Sequence, residues 1–156
     1  MKNPQSRFLR HLLLQRSEWM EERIVAAAAR RGYSQVTPAM NRLFAHLGSQ
    51  PVGLSELARL LAVSRQAVHQ IANEAARLGL VEFVASTEDG RVKMLRFSPQ
   101  GWEMSKAAAE DFRLMEAELA SQLGQHDLDE LKRILAKPWD DAERRAGSVM
   151  LASSDA

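Results

Sequence analysis

Leu54–Ala62 reads LSELARLLA, Ser64–Gly79 reads SRQAVHQIANEAARLG, and the residues that follow run into a hairpin whose tip, Thr87–Arg91, reads TEDGR. In the first segment Leu54, Leu57, Ala58 and Leu61 recur at i, i+3, i+4 and i+7, the spacing of one apolar helical face, with Gly53 or Ser55 as its cap. Ser64 stands where a helix N-cap is wanted. At about 100° per residue, the helix it opens sorts Arg65, Gln66, His69, Gln70, Asn73, Glu74 and Arg77 onto one half of the wheel. Ala67, Val68, Ile71, Ala72, Ala75 and Leu78 fill the other half. Water alone explains a polar helix face, so the face by itself decides nothing. A preceding short helix, a tight turn through Ala62 and Val63, and a following hairpin make the order that of a winged helix-turn-helix.

The hairpin follows from alternation. Gly79 supplies a left-handed C-cap, and Leu80 its accompanying apolar contact. Val81, Phe83 and Ala85 then alternate with Glu82, Val84 and Ser86, and Val92, Met94, Leu95 and Phe97 return. Gly90 is expected to give the turn a positive φ, and Asp89 to hold the Arg91 guanidinium. Arg91 and Lys93 then project from the tip toward a phosphate or a narrow minor groove.

Outward from this unit the chain reads as helices. Phe8 to Arg31 is rich in helix formers and ends at Gly32. Thr37-Pro38 caps a second helix carrying Met40, Leu43, Phe44 and Leu47, closed by Gly48. Ser98-Pro99 opens a long helix reaching Leu123, with Trp102, Phe112, Met115 and Leu119 along its apolar stripe. Asp127 and Glu130 resemble a capping box for a last helix with Leu128, Leu131, Ile134 and Leu135 inward and Pro138 as its stop. The expected organisation is an N-terminal dimerisation helix over 1–36, a winged helix-turn-helix over 37–98, C-terminal dimerisation helices over 99–139 and a polar tail over 140–156, all one folding unit. The fold class is mainly α with a small β-hairpin wing.

Composition bounds the function. With 156 residues, 46% of them hydrophobic and 26% charged, the chain can bury one sizeable core. The absence of cysteine excludes disulfides and thiolate chemistry. The longest apolar runs are too short to span a bilayer, and Arg7, Arg10 and Arg16 interrupt the stretch where a signal peptide would be continuous, so a cytoplasmic protein with no membrane partner is expected. The net charge is only +1, and residues 50–98 carry 6 Lys and Arg against 5 Asp and Glu. Binding to DNA would therefore rest on a few placed cations. His11, His46, His69 and His126 show no ligand spacing, so no metal is expected. No phosphate-cradling glycine loop, nucleophile elbow or catalytic carboxylate pair occurs, and neither an enzyme nor a cofactor is expected.

The runs GYSQVTPAMNRLFAHLG, LSELARLLAVSRQAVHQIANEAARLGLVEF and TEDGRVKMLRFSPQG resemble the MarR (multiple antibiotic resistance regulator) family of bacterial transcription factors, over about Phe8 to Pro138. The most specific element is Asp-x-Arg in the wing, here Asp89-Gly90-Arg91, leading into Phe97-Ser98-Pro99-Gln100-Gly101. The resemblance implies a homodimer with interlocked terminal helices, placed here on Phe8, Leu12, Leu128, Leu131 and Leu135. It implies recognition of double-stranded DNA through Ser64, Arg65, Gln66, His69, Gln70 and Asn73, with Arg91 and Lys93 in the wing and Asp89 and Gly90 supporting it. An inverted-repeat operator and repression are implied as well. A small aromatic effector is a further implication, for which Trp19, Arg23, Met40 and Phe44 are open candidates, no residue being assigned. Two departures stand out: Phe83 and Val84 occupy positions where the family often has arginines, and Ala62 sits in a turn where glycine is frequent. The first keeps a rival reading open, a winged helix that binds protein without specific DNA binding.

Overall fold

A computed structural model describes residues 8–139; the polar tail over 140–156 and residues 1–7 lie outside the described residues. The elements in chain order are α1 (Leu9–Arg30), α2 (Pro38–Phe44), β1 (Val52–Gly53), α3 (Leu54–Leu60), α4 (Arg65–Arg77), β2 (Val81–Ala85), β3 (Lys93–Phe97), α5 (Pro99–Leu123) and α6 (Gln125–Leu135). The chain forms two compact units divided between Phe112 and Arg113, within α5.

In the first unit, local chemistry fixes each element's end. Thr37 Oγ1 accepts the Met40 amide at 3.2 Å and Pro38 occupies the first helical position, as expected. The second helix is shorter than its apolar spacing suggested, ending at Phe44, and Leu47 reaches the core from the turn that follows. Gly53 caps α3 without a side-chain bond, while Glu56 turns to Arg59.

Three helices end in the same Schellman geometry. After α1, the amides of Gly32 and Tyr33 donate to the carbonyls of Ala29 and Ala28; after α4, those of Gly79 and Leu80 donate to Ala76 and Ala75. After α3 the amides of Ala62 and Val63 donate to Arg59 and Ala58, with Ala62 at φ +52°, a left-handed conformation held by a residue with a Cβ. Glycine holds the equivalent place at Gly32 (φ +91°) and Gly79 (φ +74°).

The sheet is antiparallel in the order β1-β3-β2, with Val52 opposite Leu95 and Phe83 opposite Leu95 from the other side. Strand β1 escaped the sequence reading because two residues cannot display alternation. Leu43, Leu57, Val68, Leu80 and Leu95 are the largest fully buried side chains. Each buried leucine contributes about 1.5–3 kcal/mol. They join α2, α3, α4 and the sheet in one core, which Phe97 and Met104 extend to the start of α5.

The junction at Ser98 ties the wing to the helix before it. Ser98 Oγ accepts the Gly101 amide at 3.0 Å and donates to the Gly79 carbonyl, while the Ser98 amide donates to the Leu80 carbonyl at 3.1 Å. Gly101 packs so closely that a Cβ there would lie 1.8 Å from the Leu80 carbonyl oxygen. Phe97 stacks between Phe44 and Trp102, at centroid distances of 5.6 and 5.2 Å.

The second unit holds the rest of α5 and α6. The N-cap of α6 is Gly124 (φ +91°), three residues before the expected Asp127, and the helix begins at Gln125; Asp127 lies in its first turn and Glu130 pairs with Arg133. Lys132 reaches Glu116 at 2.6 Å. Leu128 is buried, but Leu131, Ile134 and Leu135, expected inward, are exposed in the single chain.

Candidate nucleic-acid interface

Helix α4 is fixed at both ends and along one side, so its other side has a defined presentation. Ser64 Oγ accepts the Ala67 amide at 3.1 Å, and Val68, Ala72 and Ala75 are fully buried. Ser64, Arg65, Gln66, His69, Gln70 and Asn73 are all exposed, as the helical wheel requires. Ser64 is thus first a cap, and its hydroxyl keeps a hydrogen to donate. Within this face Gln70 Nε2 donates to Glu74 Oε1 at 3.3 Å.

The wing tip is built from its own backbone. Ser86 Oγ accepts the amides of Glu88 and Asp89 at 3.2 and 3.4 Å, and the Val92 amide donates to the Asp89 carbonyl at 2.9 Å. Two expectations are corrected. Asp89 Oδ1 accepts the backbone amide of Arg91 at 3.0 Å and does not hold its guanidinium, because an aspartate two residues upstream is placed for an Asx turn. Gly90 is outside the left-handed region and nothing lies within 4 Å of where its Cβ would be, so the open turn asks for no positive φ there. Lys93 is exposed at the start of β3 opposite Ala85, and only Arg91 belongs to the tip.

Ion pairing sorts the charges of residues 50–98 and leaves their net at +1. Arg59 bonds Glu56, whose carboxyl it holds below the usual range by that hydrogen bond, and Arg96 reaches Glu82 at 3.1 Å. These pairs remove two cations and two acids from the account of residues 50–98. Arg65, Arg77, Arg91 and Lys93 are left with no side-chain partner among the described residues, and all four are exposed on α4 or the wing. Arg77 was on the polar half of the wheel but was not singled out. Its signal is negative, the absence of an acid to pair with, and that is visible only in three dimensions.

Phe83 is half-buried against the core, and Val84 opposes Met94 on the hairpin's other face. The residues considered for an effector are engaged within the chain. Met40 is buried core, Phe44 packs on Phe97, and Arg23 lies over the Trp19 ring at 4.4 Å. Asn41 Nδ2, between Met40 and Arg42 on α2, is buried without an acceptor among the described residues. No group of three or more metal-ligating side chains occurs among the described residues, and no helix there is long and apolar enough to cross a membrane.

Residues 34–92 match the sequence profile of the MarR family. Among solved structures, MarR of E. coli in its apo form superposes with a TM-score of 0.68 at 15% identity, covering 82% of this chain and 94% of that one. The transcriptional repressor CouR, bound to a 23-mer DNA duplex, gives a TM-score of 0.65 at 23% identity, covering 87% and 96%. NadR in complex with 4-hydroxyphenylacetate gives 0.67 at 18% identity, covering 87% and 96%. The fold is therefore shared with these three structures. No curated protein sequence matches the chain at a significant level.

Proposed function

We propose that this chain, whose winged-helix segment belongs to the MarR family, is a cytoplasmic transcriptional regulator, a repressor that grips an inverted-repeat DNA site as a homodimer. One observation carries the reading: the four Lys or Arg of residues 50–98 that lack an acidic partner, Arg65, Arg77, Arg91 and Lys93, all lie on α4 or the wing, where they outnumber the remaining acids Glu74, Glu88 and Asp89 by one. Helix α4 then lies in a major groove, where Arg65, Gln66, His69, Gln70 and Asn73 meet base edges. Arg91 enters the adjoining minor groove, while Lys93, Arg77 and the Ser64 hydroxyl meet phosphates.

The homodimer is supported by the apolar side chains the single chain leaves uncovered. Phe8 and Leu12 on the N-terminal side are 67% and 43% exposed, and Leu131 and Leu135 on α6 are 44% and 41% exposed. Leu128, already covered within the chain, contributes little to such a contact. A twofold assembly spaces its half-sites about one helical turn apart. Selection of bound fragments from genomic DNA, followed by footprinting, tests the proposal. A symmetric footprint and a dimer in sedimentation are expected; an asymmetric footprint or a monomer at binding concentrations refutes the dimeric part.

A small aromatic anion as releasing effector accords with the ligand carried by NadR. The orphaned amide of Asn41 supports it, since a buried donor without an acceptor costs about 1–3 kcal/mol. Screening aromatic acids for displacement of bound DNA is the test. The rival reading, a winged helix that holds protein, is favoured by Val84 and Met94 pairing on one hairpin face, with Val92 exposed nearby in sequence. Salt separates them: a phosphate-binding surface loses affinity steeply between low and moderate salt, and an apolar one does not.

A further inference from the structure

We infer that Glu74 is a specificity determinant that sets which base Gln70 reads. The inference rests on the DNA-binding reading above. A glutamine amide has a carbonyl that accepts and an amine with two hydrogens that donate, and turning it over exchanges the two. On an unconstrained helix face both orientations are available, so a free glutamine meets acceptor-rich and donor-rich base edges alike. Here one amine hydrogen of Gln70 is given to the Glu74 carboxylate at 3.3 Å. The turned-over amide would lose that bond and place Oε1 against a negative oxygen. Glu74 has no cation bonded to it, since Arg77, three residues on, has no side-chain partner among the described residues. Its charge therefore acts on Gln70.

The consequence is a fixed polarity. Oε1 and the remaining N–H of Gln70 face outward, an acceptor beside a donor. Adenine offers the matching pair in the major groove, N6–H and N7, and cytosine offers its N4–H to the acceptor alone. Guanine presents O6 and N7, two acceptors, and thymine presents O4 beside a methyl group. Both leave Oε1 without a donor and bring a carbonyl oxygen toward the carboxylate. Glu74 thus selects for a base with an exocyclic amine, adenine before cytosine, without itself needing to reach the DNA.

The test varies one base pair at a time in a selected site and measures binding by the intact protein and by Gln70→Ala, Glu74→Ala and the double variant. Wild type is expected to prefer adenine over guanine at one position of each half-site by about tenfold or more. Glu74→Ala is expected to raise affinity for every duplex by removing an acid, and also to shrink that preference to less than about threefold. Gln70→Ala should abolish the preference, and the double variant should match it. Alanine is the best helix former, so unchanged helical circular dichroism checks the fold. A uniform gain in affinity with the preference intact overturns the inference and leaves the DNA-binding reading standing. So does guanine or thymine as the preferred base under Gln70. A wild-type protein that binds no duplex above the non-specific level overturns the DNA-binding reading, and this inference with it.

Discussion

Ala62→Gly should make the protein more stable. Ala62 is the C′ residue of the Schellman turn after α3, at φ +52°, with its own amide and that of Val63 closing on Arg59 and Ala58 at 3.2 and 3.1 Å. Holding a residue with a Cβ in the left-handed region costs about 1–2 kcal/mol. Glycine removes that strain, and its looser unfolded chain returns about 0.5–1 kcal/mol. The net gain is about 0.5–1 kcal/mol, equivalent to a rise of about 1–4 °C in Tm for a chain of this size. Ala62 is exposed, so no packing is lost. Gly32 and Gly79 act as internal references, since the same turn already carries glycine there. Urea unfolding at fixed protein concentration measures the difference, and an unchanged m-value shows that the two proteins expose the same surface on unfolding. Equal or lower stability for the variant would refute the argument that Ala62 is strained.

Gly101→Ala is expected to do the reverse and lose several kcal/mol, read as a failure to accumulate folded protein or a collapse of the unfolding midpoint, because its Cβ would stand 1.8 Å from a backbone oxygen. Arg91→Ala should weaken binding to every DNA sequence and flatten the salt dependence by about one unit of slope, whereas Gln66→Ala should change preference at particular base pairs by about 1–3 kcal/mol. A retained affinity and salt slope after Arg91→Ala would remove the wing contact. Arg31 donates two hydrogen bonds of 2.8 Å to Asp111, and these, more than burial opposes them, hold that carboxyl below its ordinary range. With the folded-state value depressed, the unfolded chain takes up the proton first as pH falls. The stabilisation is therefore complete above the ordinary carboxylate range and lost on acidification through the lowered value. Asp111→Asn should be less stable at neutral pH and show a smaller loss between neutral and acid pH, by urea unfolding; an identical pH profile for the two proteins would contradict this.

The sequence by itself determined the helices and the two-faced character of α4, because a period near 3.6 and local caps such as Thr37, Ser64 and Ser98 are encoded within a few residues of where they act. It determined the hairpin too, since alternation from Val81 to Ala85 is a local property. What needed tertiary structure was everything set by partners distant in sequence. Strand β1 exists only because Val52 finds Leu95 across the sheet. The role of Phe83 was settled by the core beneath it, and the outward face of Leu131 and Leu135 by what the single chain leaves uncovered. The charge of the candidate interface is the clearest case. A count along residues 50–98 gives 6 cations against 5 acids and says nothing of which of them meet. Folding pairs Arg59 with Glu56 and Arg96 with Glu82, and leaves Arg65, Arg77, Arg91 and Lys93 on α4 and the wing together with Glu74, Glu88 and Asp89.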